Sequence, residues 1–266
     1  MPGRPPRDAD GAPVFFVPKS VMEQDDEQRL CVWFACQSVL FGNCYRQLMP
    51  SFFDKVRLDS GVMIATTVPS RDILPAMSFP GDIDLLIIPY VGDHLLVTQT
   101  LAVEVKIVRA KFHAQGKSPN DFGFSQANGM VRHGFPFVGV AHLIVSDSSP
   151  MKAWRSMHAV EVIDAESGRV SEPREVFVDM LPADLIKRSY GRLLKNCQSK
   201  QVGLLAAYMG ESGNWIPDGR QARKNRALSR ETLNAIAYYY RENLWRFRDL
   251  PRFPDDLQRR KVSSAY

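Results

Sequence analysis

The sequence predicts an α/β protein with a mixed central β-sheet flanked by helices, and a helical and strand elaboration in its C-terminal half. Three observations carry this. From Gly81 to Lys106, two β-branched apolar runs flank a break containing Pro89, Gly92 and Asp93, the pattern of two strands folded back on each other. Downstream, Phe124 to His133 has helical spacing and Pro136 to Val145 is a continuous apolar run, so strand, helix and strand follow as in a crossover unit. Upstream, Leu30, Phe34, Gln37 and Phe41 recur at helical spacing, widened by Trp33 and Leu40, which suits a helix laid on a sheet.

Taken in order, residues 1–13 are rich in Pro, Arg, Asp and Gly and predict a tail without order, extending to about residue 20. A core is expected over 21–150, an elaboration packed on it over 151–250, and a basic, Pro-broken tail over 251–266. The first helix is predicted from about Asp25 to Phe41, ended by Gly42-Asn43. Pro50, Pro69, Pro75 and Pro80 bracket one strand, Gly61 to Val68. After Lys106 comes a polar stretch, Arg109 to Asp121, with Lys111, His113 and Lys117. Val160 to Ile163 and Val176 to Met180 read as strands around a loop. Pro182 opens a helix to about Gln198, with Ile186, Tyr190, Leu193 and Cys197 on its apolar side. Arg188, Arg192 and Lys195 lie roughly opposite, either as a solvated face or as contacts to a phosphate backbone. Gly203 to Met209 reads as a further strand. Ser229 with Glu231-Thr232 opens a last helix through Trp245, whose aromatic run (Tyr238, Tyr239, Tyr240, Trp245, Phe247) reads as core.

The chain has 266 residues, 45% of them hydrophobic and 24% charged, which is ordinary for a globular protein with one large core. No apolar stretch approaches the ~18 residues needed to span a membrane, and the expected location is cytoplasmic. Cys31, Cys36, Cys44 and Cys197 show no paired metal-ligand spacing. A net charge of +5 suits a polyanionic partner.

The chemistry concentrates at the ends of the two central strands. Asp84 opens the first; Glu104 and Lys106 close the second, two residues apart and so on one face. Two carboxylates and an ammonium converging in an apolar sheet are costly to bury unless they bind something, and a divalent ion with the phosphate it neutralises would repay that cost. Asp84 followed by Glu104-Val105-Lys106 resembles the PD-(D/E)xK superfamily of restriction-endonuclease-like nucleases, with Gly81-Asp82-Ile83-Asp84 standing in place of a Pro-Asp pair. The resemblance spans roughly residues 81–145.

What it implies is a restriction-endonuclease-like core hydrolysing phosphodiester bonds of DNA with Mg2+ or Mn2+. The ion would be held by Asp84, Glu104 and the carbonyl of Val105, with Lys106 as the catalytic ammonium or amine. Gln126, on the helix after the second strand, would assist. Glu27 on the first helix is an accessory acid or a helix-terminal charge, and Asp82 an outer carboxylate or a turn residue. RNA stays open as a substrate, as does a homo-oligomer or a place in a larger system for restriction, repair or anti-phage defence. A binding module with a decayed site and a basic interaction subunit are the competing classes.

Overall fold

The computed structural model describes residues 3–24, 26–55, 59–75, 81–116, 118–119, 121–164, 166–210 and 215–252. Asp25, Pro80, Lys117 and most of the basic tail, singled out above, lie outside them. Helices α1 (Lys19–Gln24), α2 (Asp26–Cys36), α3 (Ser38–Leu48) and α4 (Pro50–Lys55) come first. Strand β1 (Ser60–Pro69), the short α5 (Ser70–Ile73), β2 (Asp82–Val91), β3 (His94–Leu95) and β4 (Leu101–Ala110) follow. Helix α6 (Phe124–Arg132) leads to β5 (Phe137–Ser146). Four short strands come next, β6 (Arg155–Ala159), β7 (Val162–Asp164), β8 (Arg169–Val170) and β9 (Arg174–Val178). The chain ends with α7 (Leu181–Asn196), β10 (Gly203–Tyr208), β11 (Asp218–Arg220), α8 (Arg230–Glu242) and β12 (Phe247–Pro251).

One mixed sheet runs β11-β10-β5-β4-β2-β1-β12, with β3 paired to β2. Strands β4, β5 and β10 are parallel; the remaining pairs are antiparallel. The expected crossover is present as β4–α6–β5, and a second carries α7 between β5 and β10. β2 and β4 do pair, but not through one simple turn. The chain first folds β3 onto β2 (Tyr90 opposite Leu95) and makes a 3-10 turn over Val97–Gln99 before β4 begins. Strands from beyond residue 150 complete the sheet at both edges, so the expected boundary between core and elaboration runs through a single sheet. The elaboration is rather the arm in which β6 pairs with β9 and β7 with β8, apart from the main sheet, with Val162, Ile163 and Phe177 exposed.

Apolar side chains cover both faces, as the unbroken runs in β4 and β5 require. Phe34, Phe41, Tyr45 and Leu48 of α2 and α3 bury Ile64, Leu85, Ile87, Val103 and Val105. On the other face α6 and α8 (Met130, Ile236, Tyr239, Tyr240) meet Met63, Leu86, Ile88 and Val140, while Leu181, Leu185 and Ile186 of α7 meet Val108, Ile144 and Ala206. Each such Leu or Ile contributes about 1.5–3 kcal/mol by leaving water.

Two expectations need correction. The first long helix is two: the backbone leaves helical geometry at Gln37, and Gly42 and Asn43 lie inside α3 rather than ending a helix. Gly42 does not take the left-handed conformation of a helix-ending glycine. Residues 3–18 are also not the free tail their composition suggested. Tyr240 donates to the Gly3 carbonyl, Arg4 reaches Gly92 and Asp93, and the Phe16 N–H bonds the Trp245 carbonyl. Arg7 meets the carboxylate of Asp249 at 2.7 Å, and Tyr90 donates to its other oxygen at 2.8 Å. Asp249 is 1% exposed, so its charge depends on these partners. Arg7→Ala should therefore cost about 2 kcal/mol in urea unfolding, and adding Asp249→Asn should recover some of the loss. An Arg7→Ala protein as stable as wild type would show that the buried carboxylate does not need the strap.

Candidate functional site

The site forms where the sheet forks. Strands β2 and β4 are each ten residues long, yet their ladder holds only Leu85–Val103, Leu86–Ala102 and Ile87–Leu101. Beyond Leu85, β2 stays with β1 as far as Asp82 opposite Pro69. Beyond Val103, β4 stays with β5 as far as Ala110 opposite Ser146. The Val105 N–H, which a continued β2 backbone would satisfy, instead donates to Asp84 Oδ2 at 2.7 Å. The N–H and C=O of a strand residue leave on the same side, so the Val105 carbonyl also faces the fork.

Glu104 and Lys106 share the face expected of them: Lys106 Nζ lies 2.9 Å from Glu104 Oε1, with Glu104 1% exposed. Glu104 Oε2 is buried away from any N–H or hydroxyl donor, and the neighbouring group that reaches Glu104 is the Asp84 carboxyl. Burial, then the charge of Glu104, push the Asp84 carboxyl well above its ordinary value, against the pull of the Val105 N–H and Lys106. Burial, helped by the charge of Asp121, likewise raises Glu104, against the hydrogen bond and charge of Lys106 and a hydrogen bond shared with Asp84. Burial alone would depress the Lys106 ammonium, but its bond to Glu104 and the charges of Glu104, Asp84 and Glu27 outweigh that and raise it. The group is a like-charge pair held by one cation.

Around it, a cleft of about 520 Å³ is lined by Glu27, Lys106, Ile107, Arg109, Ser118, Pro119 and Asp121. Glu27 and Lys106 thus line the cleft together, near enough for the charge of Glu27 to act on the ammonium. Gln126 lies against Gly81, whose added Cβ would come within 2.7 Å of its amide nitrogen, at the entry of β2. Asp82 is felt by Tyr239 of α8.

Three neighbours escaped sequence reasoning. Gly123 has φ +79°, and a Cβ there would meet Glu104 Cγ at 2.7 Å, so the loop closes over Glu104 and Lys106 only with glycine. Asp121 accepts the Gly123 N–H at 3.0 Å and adds negative charge near Glu104. His142 sits beside Lys106 in the β4–β5 register, fully buried, with Nδ1 3.0 Å from Ser189 and its ring stacked on Phe122. Burial first, then Arg192 and Lys106, lower it to about 4, so it is neutral. A glycine before a helix that lacks a capping side chain, and a histidine inside an apolar strand, were the available signals.

The basic row of α7 divides. Arg188 is exposed and donates to Gln115 at 2.6 Å, and Lys195 is exposed. Arg192 is half-buried with Nε enclosed and unpartnered, lowered by burial and by Arg188. It belongs with His142 behind the site rather than to a uniform solvent face.

Fold and site together define an α/β/α protein carrying a carboxylate–carboxylate–lysine cluster at a sheet fork beside an open cleft. No protein-family model, curated protein or solved structure matches the chain. Among the described residues, no helix is long and apolar enough to cross a membrane, and no three His, Cys, Asp or Glu side chains form a metal cage.

A pH dependence follows from the raised carboxyls. The folded state holds more protons there than the unfolded chain, so their stabilisation is fully present below about pH 4 and is lost as pH rises through the folded values. Asp84→Asn keeps an acceptor for the Val105 N–H and removes one charge. In chelator it should melt above wild type at pH 8, with the gap closing toward pH 4. A variant no more stable than wild type at pH 8 would mean the pair carries no repulsion.

Proposed function

We propose that the chain is a divalent-metal-dependent phosphodiesterase (Mg2+ or Mn2+) that hydrolyses nucleic acid, DNA foremost. The observation that carries this is the fork: Asp84 and Glu104 side by side in the sheet, with Lys106 ion-paired to Glu104 and opening on the cleft. The donor set fits such an ion. Mg2+ characteristically takes one or two carboxylates, keeps several waters and does without an all-protein cage. Asp84, Glu104 and the Val105 carbonyl offer hard oxygens at the fork. When bound, the ion supplies Lewis-acid chemistry at a phosphodiester, neutralising charge and activating water.

The chain's own groups do the rest. The Val105 N–H fixes Asp84, and Gly123 lets the loop close over Glu104 and exclude water from that side. As the site stands, Lys106 is an ammonium, so it donates to a non-bridging phosphate oxygen and offsets the charge that builds there. Glu27 and Asp121, facing the cleft, are acceptors for the proton the attacking water gives up. Arg188 and Lys195 offer exposed charge to the flanking backbone, consistent with the net positive chain.

Digestion of linear, circular and single-stranded DNA and of RNA, with Mg2+ or Mn2+ and with chelator, tests the reading. Cleavage should vanish in chelator and in Asp84→Ala or Glu104→Ala, fall about 10²- to 10³-fold in Lys106→Ala, and weaken in Gln126→Ala. Binding without cleavage under every divalent ion would favour a module with a decayed site, and normal cleavage by Asp84→Ala would remove this carboxylate from the chemistry.

A further inference from the structure

The aromatic run at the end of α8 does not behave as one block. Tyr239, Tyr240 and Phe247 are buried, as the sequence suggested. Tyr238 is 57% exposed and Trp245 44%, and beside them Phe16, brought in by the N-terminal strap, is 59% exposed with its ring 6.3 Å from that of Trp245. Asn234, Tyr238 and Arg241 share the outward face of α8, which ends at Glu242 rather than running through Trp245; Trp245 follows in the 3-10 turn Leu244–Arg246. The Arg241 guanidinium lies 5.8 Å from the Tyr238 ring centre, and that of Arg246 5.4 Å from Trp245, held there by a bond to the Tyr239 hydroxyl. From 238 to 248 there are three arginines and a single acid, Glu242.

The register places these rings at the fork's end of the sheet. Phe247 pairs with Ala65, and Ala65 with Leu86. β12 and β2 both run antiparallel to β1, so the turn that carries Trp245, just before Phe247, lies at the strand end where β2 begins. Strands β12 and β2 are two strands apart, about 10 Å across the sheet.

Exposed rings with π-faces, each accompanied by an arginine, match one ligand chemistry: unpaired bases stacked on aromatics with phosphates beside guanidinium groups. A duplex keeps its bases stacked on one another and offers only backbone. We propose that Tyr238 and Trp245, with Arg241 and Arg246, form a platform for an unpaired nucleic-acid strand leading to the fork. The substrate class of the proposed phosphodiesterase is thereby single-stranded or frayed nucleic acid. This rests on the function proposed above for the fork, but the platform can be tested without cleavage.

The test is binding of fluorescein-labelled oligo-dT, its ribonucleotide counterpart and a blunt duplex by the full chain in chelator, read by anisotropy. Trp245→Ala and Tyr238→Ala should each weaken unpaired-strand binding about tenfold and leave duplex binding within about twofold, while Trp245→Phe restores most of the loss. Both rings are solvent-exposed, so an unchanged melting temperature checks that folding is intact. Losses on the DNA arm, the RNA arm or both support the platform. No loss on either, or equal losses on duplex, overturns it. Selective binding by a wild-type protein that cleaves nothing would leave the platform standing and remove the phosphodiesterase; cleavage with unaltered binding by both variants would do the reverse.

Discussion

The bond from the Val105 N–H to the Asp84 carboxylate is the constraint on which the site depends. A sheet cannot fork in its interior without leaving backbone groups unpaired, and a buried unpaired N–H costs about as much as the hydrogen bond it lacks. At this fork a side chain takes the place of the missing strand. Asp is the natural choice, since its short carboxylate reaches back to the backbone and accepts strongly. That choice puts a negative charge inside the sheet, next to Glu104 on the adjoining strand. Lys106 then answers a repulsion that the fork itself creates, and Gly123 answers the crowding, because any Cβ there would strike Glu104. Fork, carboxylate pair, lysine and glycine form a chain of consequences.

Much of this was legible in the sequence because charges inside an apolar, β-branched run are conspicuous. Asp84, Glu104 and Lys106 stood out for that reason, and their convergence is what the structure displays. The mixed sheet, the strand–helix–strand crossover and the covering helices were legible from periodicity. Features made by distant partners were not. The strap of residues 3–18 is fastened by Arg7 to Asp249, and nothing local in a Pro- and Arg-rich stretch announces a carboxylate at the other end of the chain. The break at Gln37 escaped because Leu30, Phe34 and Phe41 keep an apolar stripe across it. The aromatic run was divided by burial, since neighbouring rings on one helix face opposite ways.

The fork also explains why the surroundings gather at one end of the molecule. β4, β5 and β10 are parallel and deliver their C-terminal ends there, as do the C-terminal end of β1 and the N-terminal ends of β2 and β12. The α6 loop with Gly123 and Asp121, the neutral His142, the start of α2 with Glu27, and the exposed rings after α8 all reach that end from different stretches of the chain. A lone carboxylate pair on a flat sheet would face solvent and bind weakly. Here Glu104 is buried, and the cleft beside it, into which Lys106 opens, is walled by α2, β4 and the loop before α6.

The electrostatics give this arrangement a direction. Unfolding scatters Asp84 and Glu104 into water, where each ionises without hindrance, so their repulsion is a property of the folded chain alone. A cation at the fork would likewise bind the folded chain alone, and at one hundred times its dissociation constant would add about 2.7 kcal/mol of stability. The folded chain therefore carries a strain that the unfolded chain does not. Lys106 balances only a fraction of that strain, because one ammonium faces two carboxylates and its shortest contact is to Glu104. The remaining imbalance sits on Asp84, whose raised carboxyl shares a hydrogen bond with Glu104 instead of meeting a cation of its own. Two buried carboxyls that share a hydrogen bond need a proton between them, so the pair rests on one proton and one ammonium and loosens as pH rises.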